Sequence, residues 1–171
     1  MSRSSKSGRP RKAYRPRAVD PHAHLRAITY TRRIDAADAA RQVALLNDAL
    51  AAFMRGHDCP QHWRSLADCA NVAESLSLLG IGSNAEADRI VHEAQVALSA
   101  VATRRQQRGS WTLYAAEIDA LQWLLALHKA QLEAADYFEF DRALAATKRR
   151  ISQAVAGNAP AGAVIVEGEI A

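Results

Sequence analysis

"YAAEIDALQWLLALHKAQL", residues 114–132, places Tyr114, Ile118, Leu121, Leu125, His128 and Leu132 at steps of 4, 3, 4, 3 and 4. Such steps return side chains to one face of a 3.6-residue turn, so the spacing predicts an α-helix with a continuous apolar stripe. Trp123, Leu124 and Leu127 widen that stripe, which places the helix at the centre of its fold. Ser110 or Thr112 is the expected opening residue.

The same reading extends in both directions. Upstream, Asp35 or the residue before it opens a helix ending near Gly56, with Val43, Leu46, Leu50 and Phe53 on its stripe. Asp58 with Pro60 just inside starts another, carrying Trp63, Leu66, Ala70, Ala73 and Leu76 to the "GIGS" at 80–83. Ser83 or Asn84 caps a third, with Ile90, Ala94, Ala97 and Val101, ending at Gly109. Downstream, Asp136 with Glu139 makes a D-x-x-E capping box for a helix using Phe140, Leu144, Ile151 and Val155 and stopping at Gly157. The expectation is an all-α, up-and-down bundle of about five long helices over residues 20–157. Asp20-Pro21 adds a short helix to about Tyr30, and residues 158–171 read as a loose tail despite the strand-like "AVIVEGEIA".

A chain of 171 residues with 49% hydrophobic and 23% charged side chains suits one globular domain. No apolar run approaches the roughly 20 residues that cross a bilayer, and no secretory leader follows the basic start. Two cysteines, Cys59 and Cys69, make no disulfide framework, so a reducing cytoplasm is the expected compartment.

Charge is segregated. Residues 1–19 hold Arg3, Lys6, Arg9, Arg11, Lys12, Arg15 and Arg17 and no acid. Fifteen cations and all eighteen acids remain elsewhere, a net charge of −3 for residues 20–171. The arm has too little apolar material to offset the entropy of ordering and reads as disordered. Its phosphate-seeking residues are Arg9, Arg11, Lys12, Arg15 and Arg17, with Tyr14 placed to stack on an exposed base. A solubilising arm, or one folded against the acidic end of its own bundle, is the competing account. In an up-and-down bundle the C-terminal turns of the first, third and fifth helices would gather Arg55, Arg104, Arg105, Arg108, Lys148, Arg149 and Arg150 at one end. The last six of these form a secondary basic patch. Asp35, Asp38, Glu86, Asp88, Asp136, Glu139 and Asp141 would gather at the other end; the competing reading is that each helix complements its own dipole.

No catalytic constellation stands out. His57, Cys59, His62 and Cys69 fall outside zinc spacing, and His62 and Cys69 sit about 10 Å apart along a helix, so neither a metal nor another cofactor is expected. "GIGS" is a helix stop and not a phosphate loop, because no strand precedes it. As a helix-turn-helix it would aim Asn84, Glu86 and Asp88 at DNA phosphates, which excludes it as a reader. His128 reads as a hydrogen-bonded core histidine, and His22 and His24 do not share a helix face.

Three stretches, "RPRKAYRPRAV" (9–19), "HWRSLADCANVAESL" (62–76) and "RGSWTLYAAEIDALQWLLALHKAQLE" (108–133) with "ALAATKRRI" (143–151), resemble short phage- and prophage-encoded proteins of proteobacteria. The resemblance implies an accessory role in a mobile element and supplies no active-site residues. Two expectations follow. One is a non-enzymatic accessory protein that binds nucleic acid through its arm, with the bundle giving shape or homodimerisation. The other is a protein–protein module, such as a phage inhibitor of a host defence or regulatory protein.

Overall fold

The computed structural model describes residues 31–56 and 60–157. Five helices follow in order: α1 (Ala36–Met54), α2 (Pro60–Leu78), α3 (Ala85–Arg108), α4 (Ala115–Ala134) and α5 (Tyr137–Val155). The all-α bundle expected from the spacing is the architecture the chain adopts. The arm, the helix expected before Tyr30, His57, Asp58, Cys59 and the tail at 158–171 lie outside the described residues.

Local chemistry sets the boundaries. Asp35 accepts from the Ala37 amide at 2.8 Å and Asn84 from the Ala87 amide at 2.8 Å, each satisfying a donor that the first turn leaves open. At α5 the capping box is complete: the Glu139 amide donates to Asp136 at 2.7 Å, and the Asp136 amide donates to Glu139 at 3.0 Å. The opening of α4 differs from expectation. Ser110 and Thr112 bond each other at 2.6 Å, and the helix starts three residues later, where Glu117 accepts from the Tyr114 amide at 2.8 Å. Burial of Trp111 explains the delay, because the connecting segment must carry that ring into the core first.

The glycines of "GIGS" end α2 as expected. Gly80 and Gly82 have φ of 86° and 65°, and the Ile81 amide closes back on the Leu76 carbonyl at 3.0 Å. A methyl group at Gly82 would lie 3.0 Å from the Gln131 side chain, so glycine also gives α4 room to approach this turn.

Helices α1 to α4 form the up-and-down set around a core that includes Phe53, Trp63, Leu66, Leu98, Leu121 and Leu124. Each such side chain contributes about 1.5–3 kcal/mol by leaving water. The central element is α2, which packs on all four others; α4 packs on α1, α2 and α3. The two faces of α2 differ in kind. One carries Trp63, Leu66 and Leu76, whereas the other buries Asn71 and Ser75 beneath α5. Ser75 and Thr147 of α5 share a hydrogen bond of 2.7 Å, and Thr147 also donates to the Asn71 carbonyl at 3.2 Å. Arg150 of α5 binds Glu74, so Thr147 and Arg150 both land within about one turn of α2. Meanwhile Tyr137, at the start of α5, donates to Asp38 at the start of α1 at 2.8 Å. Helix α5 therefore crosses the outside of α2.

Candidate nucleic-acid interface

The arm residues Arg9, Arg11, Lys12, Tyr14, Arg15 and Arg17 lie outside the described residues. The secondary patch is described in full, and the structure divides it. Arg104, Arg105 and Arg108 end α3 beside the end of α1, where the rings of Phe53 and Trp111 meet edge-on at 5.6 Å. Arg55 and Arg108 are exposed there. Arg104 is held inward: it donates to the Thr112 carbonyl at 2.9 Å, pairs with Glu117 and lies 4.3 Å over the Tyr114 ring. Arg105 reaches the Gly109 carbonyl and lies 5.6 Å from the Trp111 ring.

The residues expected from α5 do not join them. Lys148 and Arg149 are exposed on α5, and Arg150 is drawn against Glu74, which also accepts from Gln95 of α3 at 2.9 Å. Gln95 stands nine residues before Arg104, about 14 Å along α3. The gathering of seven cations at one end is therefore corrected to Arg55, Arg104, Arg105 and Arg108. The physical reason is the crossing of α5, which places its last turn beside α2 and away from the basic end. The acidic end keeps its composition, since α1 and α5 begin together and α3 begins beside the end of α2.

Charge on the described residues is balanced, with fourteen Arg and Lys against fourteen Asp and Glu. Six of those cations form ion pairs: Arg32 with Asp35, Arg41 with Asp38, Arg89 with Glu86 and Glu93, Arg104 with Glu117, Lys129 with Glu133, and Arg150 with Glu74. The exposed pairs among these add little stability, and together the pairs weaken the long-range field that would attract a polyanion.

The titratable core residues are poorly suited to proton transfer or nucleophilic attack. Burial pushes the Cys69 thiol up, and it stays protonated. Desolvation lowers His128 to about 4, leaving a neutral imidazole at physiological pH, with Gln131 beside it partly offsetting that effect. Among the described residues no three His, Cys, Asp or Glu side chains converge as a metal site. None of their helices is long and apolar enough to cross a membrane.

Sequence reading missed Trp111, the partnership of Glu117 with Arg104, and Gln131. The Gln131 amide donates to the Ala73 carbonyl and the Ser77 hydroxyl at 3.0 Å each, and reaches the Ile81 carbonyl at 3.3 Å. One signal was available for Trp111: an aromatic residue between two helices of an aromatic-poor chain. Gln131 had none, because its three acceptors lie 50 or more positions away. Comparison with known proteins finds no matching family model, curated protein or solved structure.

Proposed function

We propose that this chain is a non-enzymatic, phage-type accessory protein that binds nucleic acid without sequence preference through its basic N-terminal arm. The observation that carries this reading is the segregation of charge. Residues 1–19 hold seven cations and no acid, whereas the described residues are charge-balanced. Contacts to phosphate release counterions whatever the base sequence, so an acid-free arm suffices for such affinity. The bundle supplies a folded anchor. The deciding experiment is a binding titration of the full-length protein and a variant lacking residues 1–17, on duplex DNA and on RNA, at several salt concentrations. Affinity that falls with salt and with loss of the arm supports the reading; equal binding by both forms refutes it.

A specific surface favours a protein partner as the second reading. Trp123 and Val96 are 63% and 49% exposed; Val96 lines a shallow groove between α3 and α4 with Ala97, Ala100, Ala116 and Ala120, flanked by His92, Glu93 and Glu117, and Trp123 follows Ala120 by about one turn of α4. An exposed tryptophan beside small apolar residues is the composition of a binding hot spot. Partner capture that survives arm removal and is lost in Trp123→Asp would favour this reading over the first.

A further inference from the structure

A cavity of about 270 Å³ opens at the basic end, between the last turn of α1 and the connection from α3 to α4. Its lining includes Phe53, Met54, Gly56, Ser110, Trp111 and Thr112. Three features of this cavity converge. Trp111 is 4% exposed, and its indole N–H, a donor only, has no hydrogen-bond partner among the described residues. A buried donor without an acceptor is costly, and an incoming acceptor would relieve that cost. The Ser110 and Thr112 hydroxyls stand on either side of that residue and bond only each other among the described residues. Three cations adjoin the lining residues without lining the cavity themselves: Arg105 over the Trp111 ring, Arg55 next in sequence to Met54 and Gly56, and Arg108 next to Gly109. Arg55 and Arg108 are exposed and form no ion pair among the described residues. Glu117, in the first turn of α4, is bound to Arg104.

From this arrangement we infer that the cavity is a phosphate-binding site for a terminal phosphate group. A tetrahedral dianion matches the set, because its oxygens can accept from the indole, the hydroxyls and a guanidinium on different sides. Size narrows the ligand. Pockets for whole small molecules run from about 300 to 1,000 Å³, so this one takes a phosphate head and leaves the remainder of its bearer outside. The bearer is either a nucleic acid with a 5′-phosphate, which rests on the nucleic-acid reading above, or a free phosphate or phosphorylated metabolite, which does not.

The test uses the full-length, ¹⁵N-labelled protein titrated with inorganic phosphate at constant ionic strength, with the indole N–H resonances as the readout. Trp63 already donates to the Leu98 carbonyl at 3.0 Å and Trp123 faces solvent, so only the resonance lost in Trp111→Phe is expected to move. Arg55→Gln with Arg108→Gln, both at exposed positions, is expected to weaken phosphate binding at least about tenfold without altering the spectrum of the free protein. A second arm compares one oligonucleotide with a 5′-phosphate and with a 5′-hydroxyl. Tighter binding of the phosphorylated form, abolished by the double substitution, assigns the phosphate to a nucleic-acid end. Equal binding of the two, with the indole shift intact, assigns the site to free phosphate or a metabolite. Deleting residues 1–17 leaves the indole shift unchanged, which separates this site from the arm. An indole resonance that does not move, or that moves equally in the double variant, overturns the proposal.

Discussion

Glu117 shows how one side chain can hold two elements. Its carboxylate accepts from the Tyr114 amide at the start of α4 and from Arg104 near the end of α3, at 13% side-chain exposure. Glu117→Gln keeps the shape but removes the charge, leaving Arg104 nearly buried without its counter-ion. The expected loss is about 3 kcal/mol of unfolding free energy, read from urea denaturation. An exposed pair such as Lys129 with Glu133 should lose under about 1 kcal/mol when Lys129 is neutralised. His128 makes a prediction in pH. Unfolded, its imidazole takes a proton near 6.5; folded, burial holds it to about 4. Between those values the unfolded chain binds a proton that the folded chain refuses. The His128 contribution is therefore complete above about pH 6.5 and falls by about 3 kcal/mol on approaching pH 4. Asp68, which lines a groove between α1 and α2 together with His128, has its carboxyl pKa raised by burial and works in the opposite sense at the acid end of this range. The difference between wild type and His128→Leu isolates the histidine: the variant should lose the steep fall between pH 6.5 and 4.

At the scale of elements, the stripe of α4 was legible where its neighbours are apolar and misleading where they are not. Leu121, Leu124, Leu125 and Leu132 are buried as the spacing requires, and Leu121→Ala or Leu125→Ala should cost about 2–5 kcal/mol in the same assay. Trp123, assigned to the same face from its neighbours, is 63% exposed, and Trp123→Ala should cost less than about 1 kcal/mol. Periodicity locates a face but not its width, since the width depends on which helix arrives beside it. For the same reason the centrality of α2 was hidden. Asn71 and Ser75 are polar and lie off the apolar stripe read from sequence, yet they are covered by Thr147, whose partnership spans more than 70 positions. Caps were read well at Asp35, Asn84 and Asp136 because their partners lie within three residues. The N-terminus of α4 was not, because the burial of Trp111 decides it.

For the whole molecule, the candidate site was legible as charge and illegible as geometry. Composition alone separates a cationic arm from a balanced body. Which arginines remain exposed depends on the crossing of α5, and no local pattern encodes a crossing angle. If the arm engages about five phosphates of duplex DNA, log affinity should fall against log salt with a slope near −4 to −5, and deleting residues 1–17 should flatten it at unchanged helical content. Circular dichroism and titrations of both forms check this together.

The seam between α2 and α5 also bears on cooperativity. Helices α1 to α4 share the larger apolar cluster, whereas α5 adds Phe140, Ala143 and Leu144 to a smaller one with Val72 and Leu76 and otherwise meets α2 through Ser75, Thr147 and the pairing of Arg150 with Glu74; Val155 in its last turn is 71% exposed. Detaching α5 exposes less apolar surface than opening the other four, so the chain can shed this helix below its global unfolding energy. Native-state amide exchange should then divide the molecule into two tiers. Amides at the centre of α5 should exchange through a sub-global opening with a shallow denaturant dependence, while those at the centres of α2 and α4 should exchange only with complete unfolding. Equal protection in both tiers would mean that all five helices act as a single cooperative unit.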